Sequence, residues 1–89
     1  MSYRVEISPD AQREIKALSG NVRAQALKLL RSLSENPRLP RAKELRDKPS
    51  VYRIWLARKW RIVYKIDEDP KRILVLRVRR KEQIDYESL

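Results

Sequence analysis

Eighty-nine residues read as one small domain over positions 1–89, and they include no cysteine and no histidine. That removes disulfides, thiolate metal sites, the commonest metal ligand and the commonest general base. Lysine and arginine number 22 against 12 acids, a net charge of +10, so phosphate backbones or strongly acidic proteins are the partners such a field attracts. The first twenty residues carry charges throughout and no stretch approaches the ~20 apolar residues of a membrane span, so neither a signal peptide nor a membrane partner is expected and the chain reads as cytoplasmic.

In chain order, Tyr3, Val5 and Ile7 alternate with Arg4 and Glu6 as a strand does. Ser8-Pro9-Asp10 then opens a helix: a capping hydroxyl, a proline suited to the first turn, and an acid that complements the dipole. Ala11, Ile15 and Leu18 share one helical face. Gly20, the only glycine, marks a helix stop, and Asn21 reads as the cap of a second helix. Val22, Ala26, Leu29, Leu30 and Leu33 form its apolar stripe, and Asn36-Pro37 ends it. Lys43 to Leu45 can add a short extended piece. Three apolar strands follow, at 51–56, 60–66 and 73–79, the last two joined by the turn Asp67-Glu68-Asp69-Pro70. The order predicts an α+β fold: a small, mostly antiparallel sheet with an N-terminal two-helix hairpin packed on one face.

A three-residue loop at Ala57-Arg58-Lys59 sets Leu56 opposite Trp60, Ile54 opposite Ile62 and Tyr52 opposite Tyr64, an apolar face for the helices. The other face then pairs Trp55 with Arg61, Arg53 with Val63 and Val51 with Lys65. In the last strand, alternation assigns Leu74, Leu76 and Val78 to the core and Ile73, Val75, Arg77 and Arg79 to the open face. Arg53, Arg61, Lys65, Arg77 and Arg79 thus gather around Trp55, with Arg80 and Lys81 just beyond. Like charges so placed become favourable when an anion lies between them, arginines fork onto phosphate oxygens, and an exposed indole stacks on a base. The same residues are also consistent with Trp55 simply packing under arginine stems in a cation–π pair with Arg61.

Such a cluster suits metal-independent RNA cleavage, because RNA carries its own nucleophile in the 2′-hydroxyl. Arginine supplies charge for the phosphorane, lysine in a crowded field can exchange protons, and tyrosine can orient or donate. The candidates are Arg53, Arg61, Lys81 and Tyr86, with Lys59 and Lys65 in reserve; Trp55, Lys59, Lys65, Arg77, Arg79 and Arg80 are the candidate RNA contacts. No carboxylate pair has metal-site spacing, and no small-molecule cofactor is expected.

Val51-Tyr52-Arg53-Ile54 followed by Trp60-Arg61-Ile62-Val63-Tyr64 resembles the RelE/ParE superfamily of toxins from type II toxin–antitoxin pairs. So do the opening strand with Tyr3, the hairpin ending in Asn36-Pro37-Arg38, the run Lys43-Glu44-Leu45-Arg46, and Val78-Arg79-Arg80-Lys81-Glu82 with a late tyrosine. In the RelE branch this resemblance implies metal-free cleavage of messenger RNA on the ribosome, with Arg53, Arg61, Lys81 and Tyr86 at the family's functional positions. It also implies a cognate antitoxin that masks the basic face. Position 55, where the family often has a lysine proposed as general base, is Trp55 here. In the ParE branch the resemblance implies the same fold inhibiting DNA gyrase, and a non-catalytic RNA-binding module is a third reading.

Overall fold

The computed structural model describes residues 2–89. Ser8 does what its position suggests: its Oγ accepts from the Ala11 N–H at 3.1 Å and starts helix α1, Pro9–Ala17. Strand β1, Arg4–Ile7, precedes it. Helix α2, Gly20–Glu35, begins one residue after its cap, and that cap is Ser19 rather than Asn21. Gly20 therefore belongs to the first turn of α2 instead of stopping α1, because the Ser19 hydroxyl takes the Val22 N–H. The end of α1 is closed by a side chain: the Arg23 guanidinium donates to the carbonyls of Ile15, Lys16 and Leu18.

The sheet follows as β2 (Lys43–Leu45), β3 (Lys48–Leu56), β4 (Trp60–Glu68) and β5 (Lys71–Arg80), each of the last three longer than the alternation alone marks. Two short 3₁₀ turns, Lys81–Gln83 and Tyr86–Ser88, come after β5. The strand order is β1-β5-β4-β3-β2. β1 runs parallel to β5 and the other neighbours are antiparallel. The β3–β4 register is the one read from the sequence, Leu56 against Trp60 through Val51 against Lys65, with Ala57 taking the left-handed φ of 54° that the three-residue loop needs.

Both helices cover one face. Ala11, Ile15 and Leu18 with Ala26, Leu29, Leu30 and Leu33 pack on Ile54, Leu56, Ile62, Tyr64, Ile66, Ile73, Val75 and Val78. The last strand corrects the expected face assignment. Val63 pairs with Arg77 but Tyr64 pairs with Val75, so Leu76 is an extra residue on β5. This bulge inverts the alternation before it: Ile73 and Val75 are in the core, and Leu74 and Leu76 are only half buried. The β1–α1 junction satisfies the bulge, the Ser8 hydroxyl donating to the Leu76 carbonyl at 3.0 Å and the Ser8 N–H to the Val75 carbonyl at 3.0 Å.

Tyr64 is the largest wholly buried side chain, and its hydroxyl donates to the Pro37 carbonyl at 2.7 Å, pinning the chain that leaves α2. Burial drives its pKa well above the ordinary phenol value. Tyr52 stacks on it with ring centroids 5.8 Å apart. Outside this pair, Tyr3 Oη donates to Glu68 at 2.8 Å and Arg38 Nη2 lies 2.8 Å from the same carboxylate, which holds Glu68 below its ordinary pKa.

Candidate nucleic-acid interface

The tight β3–β4 hairpin sets Trp55 and Arg61 side by side on the face away from the helices. The Arg61 guanidinium carbon lies 4.3 Å from the centroid of the indole ring, a cation–π contact, while Arg61 Nη1 donates to Tyr86 Oη at 2.9 Å. Arg61 is 9% exposed and its Nε is buried without a hydrogen-bond partner; Trp55 is 37% exposed. An almost dry guanidinium with an unpaired donor carries a desolvation cost that a nearby anion would relieve. The β5 exit brings a second cation. The Lys81 backbone N–H donates to the Lys59 carbonyl at 3.0 Å, and Lys81 Nζ lies 5.9 Å from the Trp55 ring centroid.

Trp55, Arg61, Lys81 and Tyr86 thus meet in one place, although they come from β3, β4 and the segment after β5. Arg53 lies two residues along β3 on the same face, in register with Lys43 on one side and Val63 on the other. Two cations directly opposed across a ladder repel, which an intervening anion would relieve. Lys59 is exposed in the hairpin loop and Lys65 is exposed on β4 opposite Val51 and Leu74, away from Trp55.

The remaining three candidates are spent elsewhere. Arg77 Nη2 and Nε lie 2.6 and 3.1 Å from Glu14 Oε2, and Arg79 Nε lies 3.1 Å from the same oxygen. Glu14 Oε1 accepts the Val78 N–H at 2.8 Å, on the stretch of β5 that β1 leaves unpaired. The carboxylate holds the Arg77 guanidinium above its ordinary pKa. Arg80, in register with Trp60, points to the helix side and lies 5.4 Å from that ring centroid. The face read as open is also partly covered. Val63 is fully buried and Val51 nearly so, both outside the main core, and the chain after β5 returns to β3 and β4, with Lys48 Nζ donating to the Leu89 carbonyl at 3.3 Å and Arg61 to Tyr86.

Residues 5–85 match the sequence profile of the ParE toxin of the type II toxin–antitoxin system, parDE. A putative RelE-like toxin protein of Escherichia coli is 33% identical over 90 residues, covering 100% of this chain and 94% of its own. The chain belongs to the RelE/ParE toxins of type II toxin–antitoxin systems. The isolated E. coli RelE toxin superposes with a TM-score of 0.81 at 30% identity, over 98% of this chain and 93% of that one. A mutant of E. coli RelE in the free state gives a TM-score of 0.84 at 29% identity, over 99% and 93%. The toxin in the intact E. coli RelBE toxin–antitoxin complex gives 0.82 at 29%, over 92% and 100%.

In this RelE/ParE toxin, Glu14 is the residue that sequence reasoning passed over. It stands among charged neighbours on an exposed helix, and its partners lie more than sixty positions away, so no local pattern reveals it. The burial of Arg61 was equally silent, because the residues that enclose it belong to other elements.

Proposed function

We propose that this toxin is a metal-independent, ribosome-dependent endoribonuclease that cuts messenger RNA and stops translation. The observation that carries this reading is the Arg61 guanidinium stacked 4.3 Å from Trp55 and bonded to Tyr86, with Lys81 beside the same ring. Trp55 stacks on a base of the unpaired message. The 2′-hydroxyl attacks phosphorus and loses its proton, with Lys59 on the hairpin loop as the candidate acceptor. Arg61, with Arg53, balances the charge that accumulates on the phosphorane oxygens. The bond to the 5′-oxygen breaks to leave a cyclic phosphate. Because the Tyr86 oxygen already accepts from Arg61, its own O–H is free to donate to the leaving oxygen, with Lys81 as the second donor.

The E. coli and Mycobacterium tuberculosis RelE-type toxins in solved complexes are bound by RelB-type antitoxins, and a cognate antitoxin is the partner we assign here. A +10 toxin calls for an acidic neutraliser.

The matched profile is that of ParE toxins, which supports a second reading as an inhibitor of DNA gyrase. One comparison separates the two. Purified toxin added to ribosomes carrying a defined message should cut it, with or without chelator, and should leave gyrase supercoiling intact. An intact message together with blocked supercoiling would replace the nuclease reading by the gyrase one.

A further inference from the structure

The end of the sheet that carries Trp55 on one face carries Trp60 on the other. Trp60 and Arg61 are consecutive on β4 and so project to opposite sides. On the helix side, Glu14 and Ala17 from α1, Trp60, Val78 and Arg79 from β5, and Gln83 from the turn after it line a notch of about 190 Å³. Trp60 stands in register with Arg80, whose guanidinium carbon lies 5.4 Å from the ring centroid. Lys81, the next residue, has its Nζ 5.9 Å from the ring centroid of Trp55. Arg80 and Lys81 thus set one cation beside each indole, and the Lys81 N–H bond to the Lys59 carbonyl ties the sheet end between them.

We propose that this notch takes a second base of the unpaired strand that engages Trp55, and that it selects a base bearing an exocyclic amine over uracil. The proposal rests on the reading of unpaired RNA as the ligand and adds to it a subsite and a preference. The size suits one base, since the notch is smaller than the roughly 300–1,000 Å³ pockets that hold drug-sized molecules. Trp60 supplies an aromatic wall for the ring, and Arg80 and Lys81 supply charge for the phosphates on the way round the sheet end. The polar edge is Glu14. Its Oε2 faces Arg77 and Arg79, but among the described residues Oε1 accepts only the Val78 N–H, at 2.8 Å, which leaves it a lone pair for a ligand donor. Adenine, guanine and cytosine each carry an amine that can donate there, whereas uracil presents carbonyl oxygens that the carboxylate repels. The Gln83 amide, exposed at the mouth, can pair with the same edge. An aliphatic side chain from a protein partner suits this lining less well, because it would cover Glu14 Oε1 without giving it a donor.

The test is the fluorescence of Trp60. The sequence holds two tryptophans, so the full-length Trp55→Phe chain reports on Trp60 alone. Its emission is followed as short 2′-O-methyl strands, which resist cleavage, are added, one of cytidine and one of uridine, an amine against a carbonyl. The cytidine strand should quench Trp60 and bind about tenfold more tightly, the scale of one hydrogen bond to a charged acceptor. Ala17 is the exposed last residue of α1, and Ala17→Leu puts a larger side chain into the notch. Added to Trp55→Phe, it should abolish the quenching and level the two affinities. Glu14→Gln, with its fold checked by circular dichroism, should keep the quenching and narrow the preference, because a neutral oxygen attracts the amine less and repels uracil less. The proposal is overturned by no quenching with either strand, by equal affinities in Trp55→Phe, by quenching that survives Ala17→Leu, or by a preference that survives Glu14→Gln. A short acidic peptide carrying a leucine, if it shifts Trp60 emission where neither strand does, gives the notch to a protein partner and overturns it too. Message cleavage by the wild type, measured in parallel, separates the failures. A wild type that cuts RNA while Trp60 stays silent sinks this proposal alone, and one that cuts nothing while Trp60 tells cytidine from uridine sinks the nuclease reading.

Discussion

Glu14 takes Arg77 out of the toxin's basic surface: one carboxylate oxygen lies 2.6 Å from Nη2 and 3.1 Å from Nε, and it also meets Arg79 Nε at 3.1 Å. Its other oxygen holds the Val78 N–H, so the ion pair is also the clamp between α1 and β5. Two of the cations expected to face RNA already have an anion. Arg77→Gln/Arg79→Gln should therefore change the salt slope of RNA binding less than Arg53→Gln/Lys65→Gln does. Glu14→Gln keeps an oxygen for the Val78 N–H and frees both guanidinium groups, so it should tighten RNA binding and steepen the slope. A salt series on the three variants decides it, and a large loss of slope in the first would return Arg77 and Arg79 to the interface.

Trp55 and Tyr86 hold the Arg61 guanidinium in place, and the nuclease reading assigns it to the chemical step. Arg61→Ala should slow cleavage of ribosome-bound message by ~10²–10³-fold, the scale of losing one preorganised donor. Arg61→Lys should recover only part of this, since a lysine keeps the charge but loses the planar fork that stacks on the indole. Tyr86→Phe removes the acceptor of the 2.9 Å bond from Arg61 and the proposed donor to the leaving oxygen, so it should lower kcat more than binding. Single-turnover cleavage with circular dichroism of each variant provides the check.

The bulge at Leu76 sets the cost of core truncation along β5. Ile73 is fully buried and its neighbour Leu74 only half buried. Ile73→Ala should cost ~2–5 kcal/mol. Leu74→Ala should cost less than half as much, the opposite of what unbroken alternation demands. Urea unfolding of the two variants measures the difference.

Why this was hidden is a matter of pattern. The register of β3 and β4 was legible because the three-residue loop Ala57–Lys59 sets Tyr52, Ile54 and Leu56 against Tyr64, Ile62 and Trp60 under the helices and leaves Arg53, Trp55, Arg61 and Lys65 on the other face. Ile73-Leu74-Val75-Leu76 is apolar at every position, so a slip of one residue leaves no trace in the sequence. The helix caps were legible except at Gly20, where a stop signal and a start signal are adjacent and the Ser19 hydroxyl decides between them. The cluster of Arg61, Lys81, Tyr86 and Trp55 was legible as residue types. Its closeness depends on the Lys81–Lys59 backbone bond and on the return of the chain after β5, which no periodicity encodes.

Tyr64 gives stability an alkaline edge. Burial raises its pKa in the folded state above the ordinary value near 10. The folded form thus holds the phenol proton more tightly than the unfolded form, and this contribution is complete below about pH 10 and is lost as pH rises toward the folded pKa. Tyr64→Phe should cost ~1 kcal/mol at neutral pH, through the bond to the Pro37 carbonyl, yet lose less stability than the wild type between about pH 10 and 11. Urea midpoints at the two pH values compare them directly.

The parallel pairing of β1 with β5 fixes when the molecule can exist at all. Val5 and Ile7 complete their side of the sheet only against Ile73 and Val75, and Arg61 meets its partner only when Tyr86 has been added. A growing chain that has reached Glu68 has both helices and the β3–β4 hairpin but not β5, the strand that joins β1 to the rest of the sheet, and most of the apolar surface of α1 has nothing to rest on. Sheet closure waits for contacts of long sequence separation, which form late. During its own synthesis the chain is thus a tethered, incomplete sheet without its cluster of Trp55, Arg61, Lys81 and Tyr86.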